Sequence, residues 1–420
     1  MVDMTKYIIL SGILLVSIIL SAYPIDGYKY TAIDRLLYQY KVAEDSTLTT
    51  KLKPGALLNT ADIKLNLVGH KKGIPQEDLD LEKKLQNIFR NLEPEYSISM
   101  MDITDPNNIS YAGLKETTGY QPGSVAKIIA AMGLFDALHK VYGDNWEEIR
   151  GVLYNRKVRG NDFVISDHHT VPIYDIKKDK YEKRKVRTSD VFSLYEWLDH
   201  MFSVSNNGAA SVVMREMLLI HIMDGYYECA TQEEMDDVIN NTSKSVLSNL
   251  TEDLTNCVLE SINISRDEYR LGGFFTDGAE RHVPRQGGSI GTTLGLMKFM
   301  YALESGQVIN ERISLEIKRL MYLTDRRIRY AANKSLDNDA VYFKSGSFFS
   351  FKPEPGFVKI NYAGNKFNYM NSVAIIEKQD STQKKYMVAL MSNVLRKNSA
   401  NEHYALAKRI DELVADYKSE

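Results

Sequence analysis

Residues 124–142 read SVAKIIAAMGLFDALHKVY, a helical stretch with almost no polar face until its end. A helix that is apolar all round belongs at the buried centre of a large domain, with other elements covering every side. At 420 residues, 44% of them hydrophobic, the chain is long enough to supply that cover. Before it, residues 79–92 carry apolar side chains at helical spacing and stop at Glu93-Pro94. Residues 96–102 then alternate as a strand, Pro106-Asn107-Asn108 turns the chain, and residues 109–114 return as the second strand of a hairpin. After it the periods are mostly helical as far as Leu323, clearest at 193–201, 209–223, 233–250 and 292–303. Strand patterns come back at 340–349, 370–377 and 385–393, and an amphipathic helix over 402–417 closes the sequence. This order predicts an α+β fold: an antiparallel sheet of about five strands, assembled from both ends of the chain, flanked by helices and interrupted by an all-helical subdomain.

The charge balance narrows the function. A formal net charge of -3 leaves no broad basic field, so a nucleic-acid partner is not expected. Residues 7–22 (YIILSGILLVSIILSA) are apolar apart from small hydroxyl residues, as in a signal-peptide core or a short membrane anchor. Export follows, to a periplasmic, secreted or membrane-tethered location, and any membrane contact runs through this segment alone. Lys6 is the one basic residue ahead of it, Leu20 fits poorly at the minus-three position of a cut after Ala22, and no lipobox cysteine follows. Residues 28–60 read as an N-terminal extension with a short helix around 33–42. Export permits Cys229 and Cys257, the only two cysteines, to pair or to stay free. They do not make a zinc site, and no His-Glu-x-x-His helix occurs, so neither metal nor cofactor is expected. His168-His169 is the densest histidine cluster, in polar surroundings that suggest a surface loop.

Three short motifs carry chemistry. Ser124-Val125-Ala126-Lys127 follows Gln121-Pro122-Gly123 and opens the buried helix, so the hydroxyl and the amine, three residues apart, share a face. A serine hydroxyl needs a base beside it, and burial can make lysine that base by depressing its pKa. Ser205-Asn206-Asn207 lies between two helical segments, where a second hydroxyl can relay a proton and an amide can hold both lysine and substrate. Lys344-Ser345-Gly346-Ser347 sits on a strand, where glycine admits a ligand to the backbone and Lys344 and Ser345 can bind a carboxylate. The amides of Ser124 and Ser347 can then form an oxyanion hole. Singly the first two motifs are weak, since Ser381-Thr382-Gln383-Lys384 and Ser261-Ile262-Asn263 also match; Lys-Ser/Thr-Gly occurs once.

In this order and context the three motifs resemble the signature of the penicillin-recognising serine hydrolases, the class A β-lactamases and penicillin-binding proteins. The resemblance spans residues 62–417, least well through the helical middle. It implies a catalytic domain over 61–420, with an α/β part from 61–123 and 324–420 and a helical part from 124–323, behind residues 1–24 as signal or anchor and 25–60 as the extension. It also implies that Ser124 is acylated, Lys127 is the general base and Ser205 the proton shuttle. Asn207 would contact the substrate amide, and Lys344 and Ser345 the substrate carboxylate, on a strand opened by Gly346 and Ser347. Asn206 stands where the family commonly has aspartate, in a mainly structural role.

One family element is missing. Class A β-lactamases carry a glutamate within Glu-x-x-Leu-Asn that activates the deacylating water, and no such sequence occurs here. Glu268 and Glu280 are the candidates to replace it, each more simply read as a loop carboxylate. The expected activity is amide hydrolysis through an acyl-enzyme, on β-lactams or related cell-wall peptides. A D,D-peptidase acting on stem peptides and a non-catalytic sensor are the alternatives. The 26 tyrosines could wall a substrate site, though ordinary core and surface use explains them too.

Overall fold

A computed structural model describes residues 26–44, 54–324 and 327–417. The apolar segment at 7–22 lies outside them, and among the described residues no helix is long and apolar enough to cross a membrane. Five strands form one antiparallel sheet: β1 (Tyr96–Asp102), β2 (Ser110–Leu114), β3 (Ala340–Ser350), β4 (Phe367–Glu377) and β5 (Lys385–Asn393), in the spatial order β2-β1-β5-β4-β3. The last strand of the chain thus pairs with the first, closing the sheet from both ends.

Period-two alternation sends each strand's apolar residues to two separate cores. Ile98, Met100, Val341, Phe343, Val388 and Leu390 pack on one face with Leu81, Leu85, Leu406 and Ile410 of the helices Leu79–Phe89 and Ala400–Asp416. Met101, Tyr342, Val373, Ile375, Met387 and Ala389 face the larger core, whose centre is the helix Lys127–Tyr142. That helix is buried along Lys127 to Phe135 without interruption, covered by the helices Asn207–Met223 and Lys244–Glu260, as its apolar circumference requires.

Local chemistry moves several boundaries. The predicted helix at 124–142 begins as a 3-10 turn over Gly123–Ala126, and regular α-helix starts only at Lys127. The single helix expected over 233–250 is two, Gln232–Asn241 and Lys244–Glu260, because Thr242 is extended and the Ser243 hydroxyl caps the second helix by accepting from the Val246 amide. The helical part also carries three short two-stranded ribbons, Lys157–Arg159 with Val191–Ser193, Thr170–Asp175 with Lys180–Lys185, and Tyr269–Arg270 with Ile290–Gly291. Cys229 and Cys257 are both exposed, free thiols rather than a bonded pair.

The N-terminal extension docks on the body. Its helix, Asp34–Glu44, buries Arg35, whose guanidinium makes a bidentate ion pair at 2.5 Å with Asp199, while both side chains are within 1% of full burial. Asp199 belongs to the helix Leu194–Ser203, which ends just before the second motif.

Candidate active site

The three motifs converge because the edge strand β3 is pressed against the turn that carries Ser124. A Cβ on Gly346 would lie 2.0 Å from the Pro122 carbonyl oxygen and 2.9 Å from the amide nitrogen of Ser124, so only glycine fits there. Gly123 answers from the other side with φ +55, its own Cβ position 2.8 Å from the Ser347 amide. The Asn371 amide, paired with Gly346 across the sheet, donates to the Gln121 carbonyl at 2.9 Å and fastens the turn to β4. The amides of Ser124 and Ser347 are thereby held on either side of one backbone contact.

Lys127 is fully buried, with its Nζ 3.1 Å from Ser124 Oγ. The same nitrogen donates to Asn207 Oδ1 at 2.6 Å and to the Ser205 carbonyl, with Ser205 Oγ at 3.4 Å. A neutral amine has two hydrogens and one lone pair. With the two hydrogens on these carbonyl oxygens, the lone pair is left for the Ser124 hydroxyl. Burial favours this neutral form: it pulls the Lys127 pKa down to about 7, and the Asp167 carboxylate nearby limits the drop.

Ser205 sits at φ +61, a left-handed conformation that costs a serine about 1 kcal/mol or more and aims its hydroxyl between two lysines. Lys344 Nζ donates to Ser205 Oγ at 2.8 Å and to the Ser345 carbonyl at 3.2 Å. Burial, then repulsion from Lys127 and Arg329, holds Lys344 well below the usual lysine range. Ser124, Lys127, Ser205 and Lys344 therefore form one continuous chain. Asn206 caps the helix Asn207–Met223 by accepting from the Ala209 amide at 2.6 Å, a role an asparagine fills as well as an aspartate.

The cleft has two lobes that meet at Ser124. One, about 120 Å³, is lined by Ser205, Lys344, Ser345, Gly346, Ser347 and Arg329. The other, about 310 Å³, is lined by Asn207 and by Leu271, Phe274, Phe275, Phe348, Phe349 and Arg285. Tyr362 and His169 border both lobes. A larger cavity of about 700 Å³ lies between Arg159, Phe163, Asp236 and His282 and touches none of the three motifs.

Sequence reasoning missed three of these residues. Arg329 donates to the Gly346 carbonyl at 2.6 Å from a turn with no local signature. Asp167 accepts from the amides of Asn207 (2.6 Å) and Gly208 (2.9 Å), which seats the second motif. His169, read as part of a surface loop, lines the cleft, although His168 beside it is exposed. Glu268 is ion-paired with Lys298 at 2.5 Å and Glu280 is ion-paired with Arg285; neither borders the cleft, and among the described residues lining it there is no Asp or Glu. Nor, among the described residues, does any group of three His, Cys, Asp or Glu form a metal site.

The sequence matches no family model and no curated protein. Solved structures do match in fold. A β-lactamase from Chitinophaga pinensis DSM 2588 is 12% identical with a TM-score of 0.51, covering 80% of this chain and 98% of its own. The TLA-3 extended-spectrum β-lactamase is 14% identical with a TM-score of 0.50, over 80% and 98%. PBP-A also matches, at 10% identity and a TM-score of 0.48, over 82% and 99%. The five-stranded antiparallel sheet with its helical insertion is thus the β-lactamase/transpeptidase fold, the architecture of the penicillin-recognising serine hydrolases that the three motifs resemble.

Proposed function

We propose that this chain is an exported serine hydrolase that forms an acyl-enzyme on Ser124, with an amide substrate bearing a carboxylate, either a β-lactam or a cell-wall stem peptide. The single observation that carries this reading is the buried Lys127, 3.1 Å from Ser124 Oγ with a pKa of about 7. Neutral Lys127 takes the Ser124 proton as Oγ attacks the carbonyl carbon. The developing oxyanion is stabilised by the amides of Ser124 and Ser347. The C–N bond then breaks, and Ser205 protonates the departing nitrogen, drawing a replacement proton from the lysines on either side. Asn207, its Oδ1 engaged by Lys127, offers Nδ2 to the substrate amide. Lys344, Ser345 and Arg329 make the smaller lobe cationic and polar, suited to a carboxylate.

Among the described residues lining the cleft no carboxylate stands where a class A β-lactamase would use its glutamate, which favours a penicillin-binding D,D-peptidase over a class A-type β-lactamase. The test is intact-mass spectrometry of the purified protein after exposure to benzylpenicillin, beside Ser124→Ala. An adduct confined to the wild type and persisting over many minutes supports the peptidase reading. One that clears within seconds supports a β-lactamase. No adduct removes β-lactams and D-Ala-D-Ala peptides as substrates.

A further inference from the structure

Among the described residues lining the cleft, His169 is the one side chain built like a catalytic base that has no part in acylation. Its Nδ1 lies 2.6 Å from Asp167 Oδ1, and its backbone amide donates to the same oxygen at 3.0 Å. Asp167 is an unusual anchor for a surface histidine, because its side chain is only 4% exposed. Burial alone would raise its pKa, but the hydrogen bonds from the His169 ring and amide, the His169 charge and the Gly208 amide outweigh that and hold it at about 2. A permanently ionised, immobile carboxylate thus fixes the imidazole's orientation and its tautomer, with the proton on Nδ1. Nε2, on the ring edge away from Asp167, has no hydrogen-bond partner among the described residues, and His169 borders both lobes, as Ser124 does.

From this geometry we infer that His169, oriented by Asp167, is the general base that activates the deacylating water. The inference rests on the acyl-enzyme reading above and supplies the base that the missing glutamate leaves open. Water gives its proton to His169 Nε2 as its oxygen attacks the acyl carbonyl. The tetrahedral intermediate collapses, the C–Oγ bond breaks, and the departing Ser124 Oγ takes the proton that His169 received from the water. The product acid leaves, with the Ser124 hydroxyl and the neutral imidazole regenerated. The charged and titratable groups around the ring are Asp167 behind it and Lys127, Lys344, Arg329, Arg285 and Tyr362 across the cleft.

The test separates acylation from deacylation in the wild type and in His169→Asn, whose amide keeps a donor for Asp167 but cannot take a proton. A fluorogenic cephalosporin and an ester analogue of D-Ala-D-Ala are used as probes, with adduct formation and decay followed by mass spectrometry across a range of pH. The wild-type decay rate should rise with pH, as a step that needs an unprotonated base requires. In the variant, decay should slow at least about 100-fold, the low end for a general base, and lose that pH dependence. Adduct formation in the variant should keep the Lys127 profile. Equal decay rates and profiles in both proteins overturn the assignment. Loss of adduct formation in His169→Asn also overturns it, since the residue would then be holding the site together. No adduct with either probe in the wild type refutes the acyl-enzyme reading itself, and the role of His169 falls with it.

Discussion

Replacing Lys127 by methionine should make the pH dependence of stability visible at one residue. The lysine is fully buried and its pKa falls from 10.5 unfolded to about 7 folded. Between those two values the unfolded chain binds more protons at this site than the folded chain, so the lysine's contribution to stability becomes more favourable as pH rises. The slope approaches about 1.4 kcal/mol per pH unit, flattening below pH 7, where both states are protonated, and above 10.5, where neither is. Integrated from about pH 6 to about pH 9, the wild type should gain about 2 to 3 kcal/mol relative to Lys127→Met. Methionine leaves the Ser205 carbonyl and Asn207 Oδ1 without their donor, which shifts the comparison by a constant and does not change its slope. Lys344 reinforces the effect: without Lys127 it loses one of the two cations that depress it, so the variant's own slope becomes shallower. Urea unfolding followed by the fluorescence of the buried Trp146 and Trp197, at both pH values, measures the difference. The same titration should govern the wild-type acylation rate, rising through about pH 7. A stability difference that is flat with pH, or one of opposite sign, refutes the claim that Lys127 is neutralised by burial.

Three further outcomes are expected. Gly346→Ala places a methyl group 2.0 Å from the Pro122 carbonyl, so it should cost at least about 2 kcal/mol in a melt and abolish acylation; wild-type behaviour in both assays would remove the contact between β3 and the serine turn. Asp167→Asn takes away the charge that raises Lys127, so the acylation profile should move to lower pH. Because the folded Asp167 pKa of about 2 is below its unfolded value of 3.8, the carboxylate contributes about 2 kcal/mol that is present above pH 4 and lost as pH falls through 2, and acid titration of the variant should lack this component. Arg35→Ala takes from the buried Asp199 its bidentate guanidinium partner, and urea unfolding should show a loss of about 3 to 5 kcal/mol; a near-neutral result would mean the N-terminal extension is not docked in solution.

Much of this molecule is legible in its residues. The apolar circumference of 124–142 demanded a central helix, and period-two alternation located all five sheet strands, with β1 and β5 at the expected residues. These signals are local: they record which side chains avoid water, and the chain repeats that record every two or three to four residues. The three motifs were legible for a similar reason, since spacing on one helix turn or one strand sets what two neighbouring side chains can reach.

What the sequence left open was decided by contacts between distant segments. Asp167 reaches the amide of Asn207 across 40 residues, Arg329 reaches Gly346 across 17, and Arg35 reaches Asp199 across 164; no periodicity records such meetings. The break at Thr242 was missed because two capping hydroxyls interrupt a pattern that otherwise reads as one helix. The chemical state of Lys127 belongs to the tertiary structure as well. The sequence determined that an amine stands one turn from a hydroxyl at the head of a buried helix. The packed surroundings that exclude water decided that the amine loses its charge readily, because a lysine's charge is disfavoured where nothing solvates it.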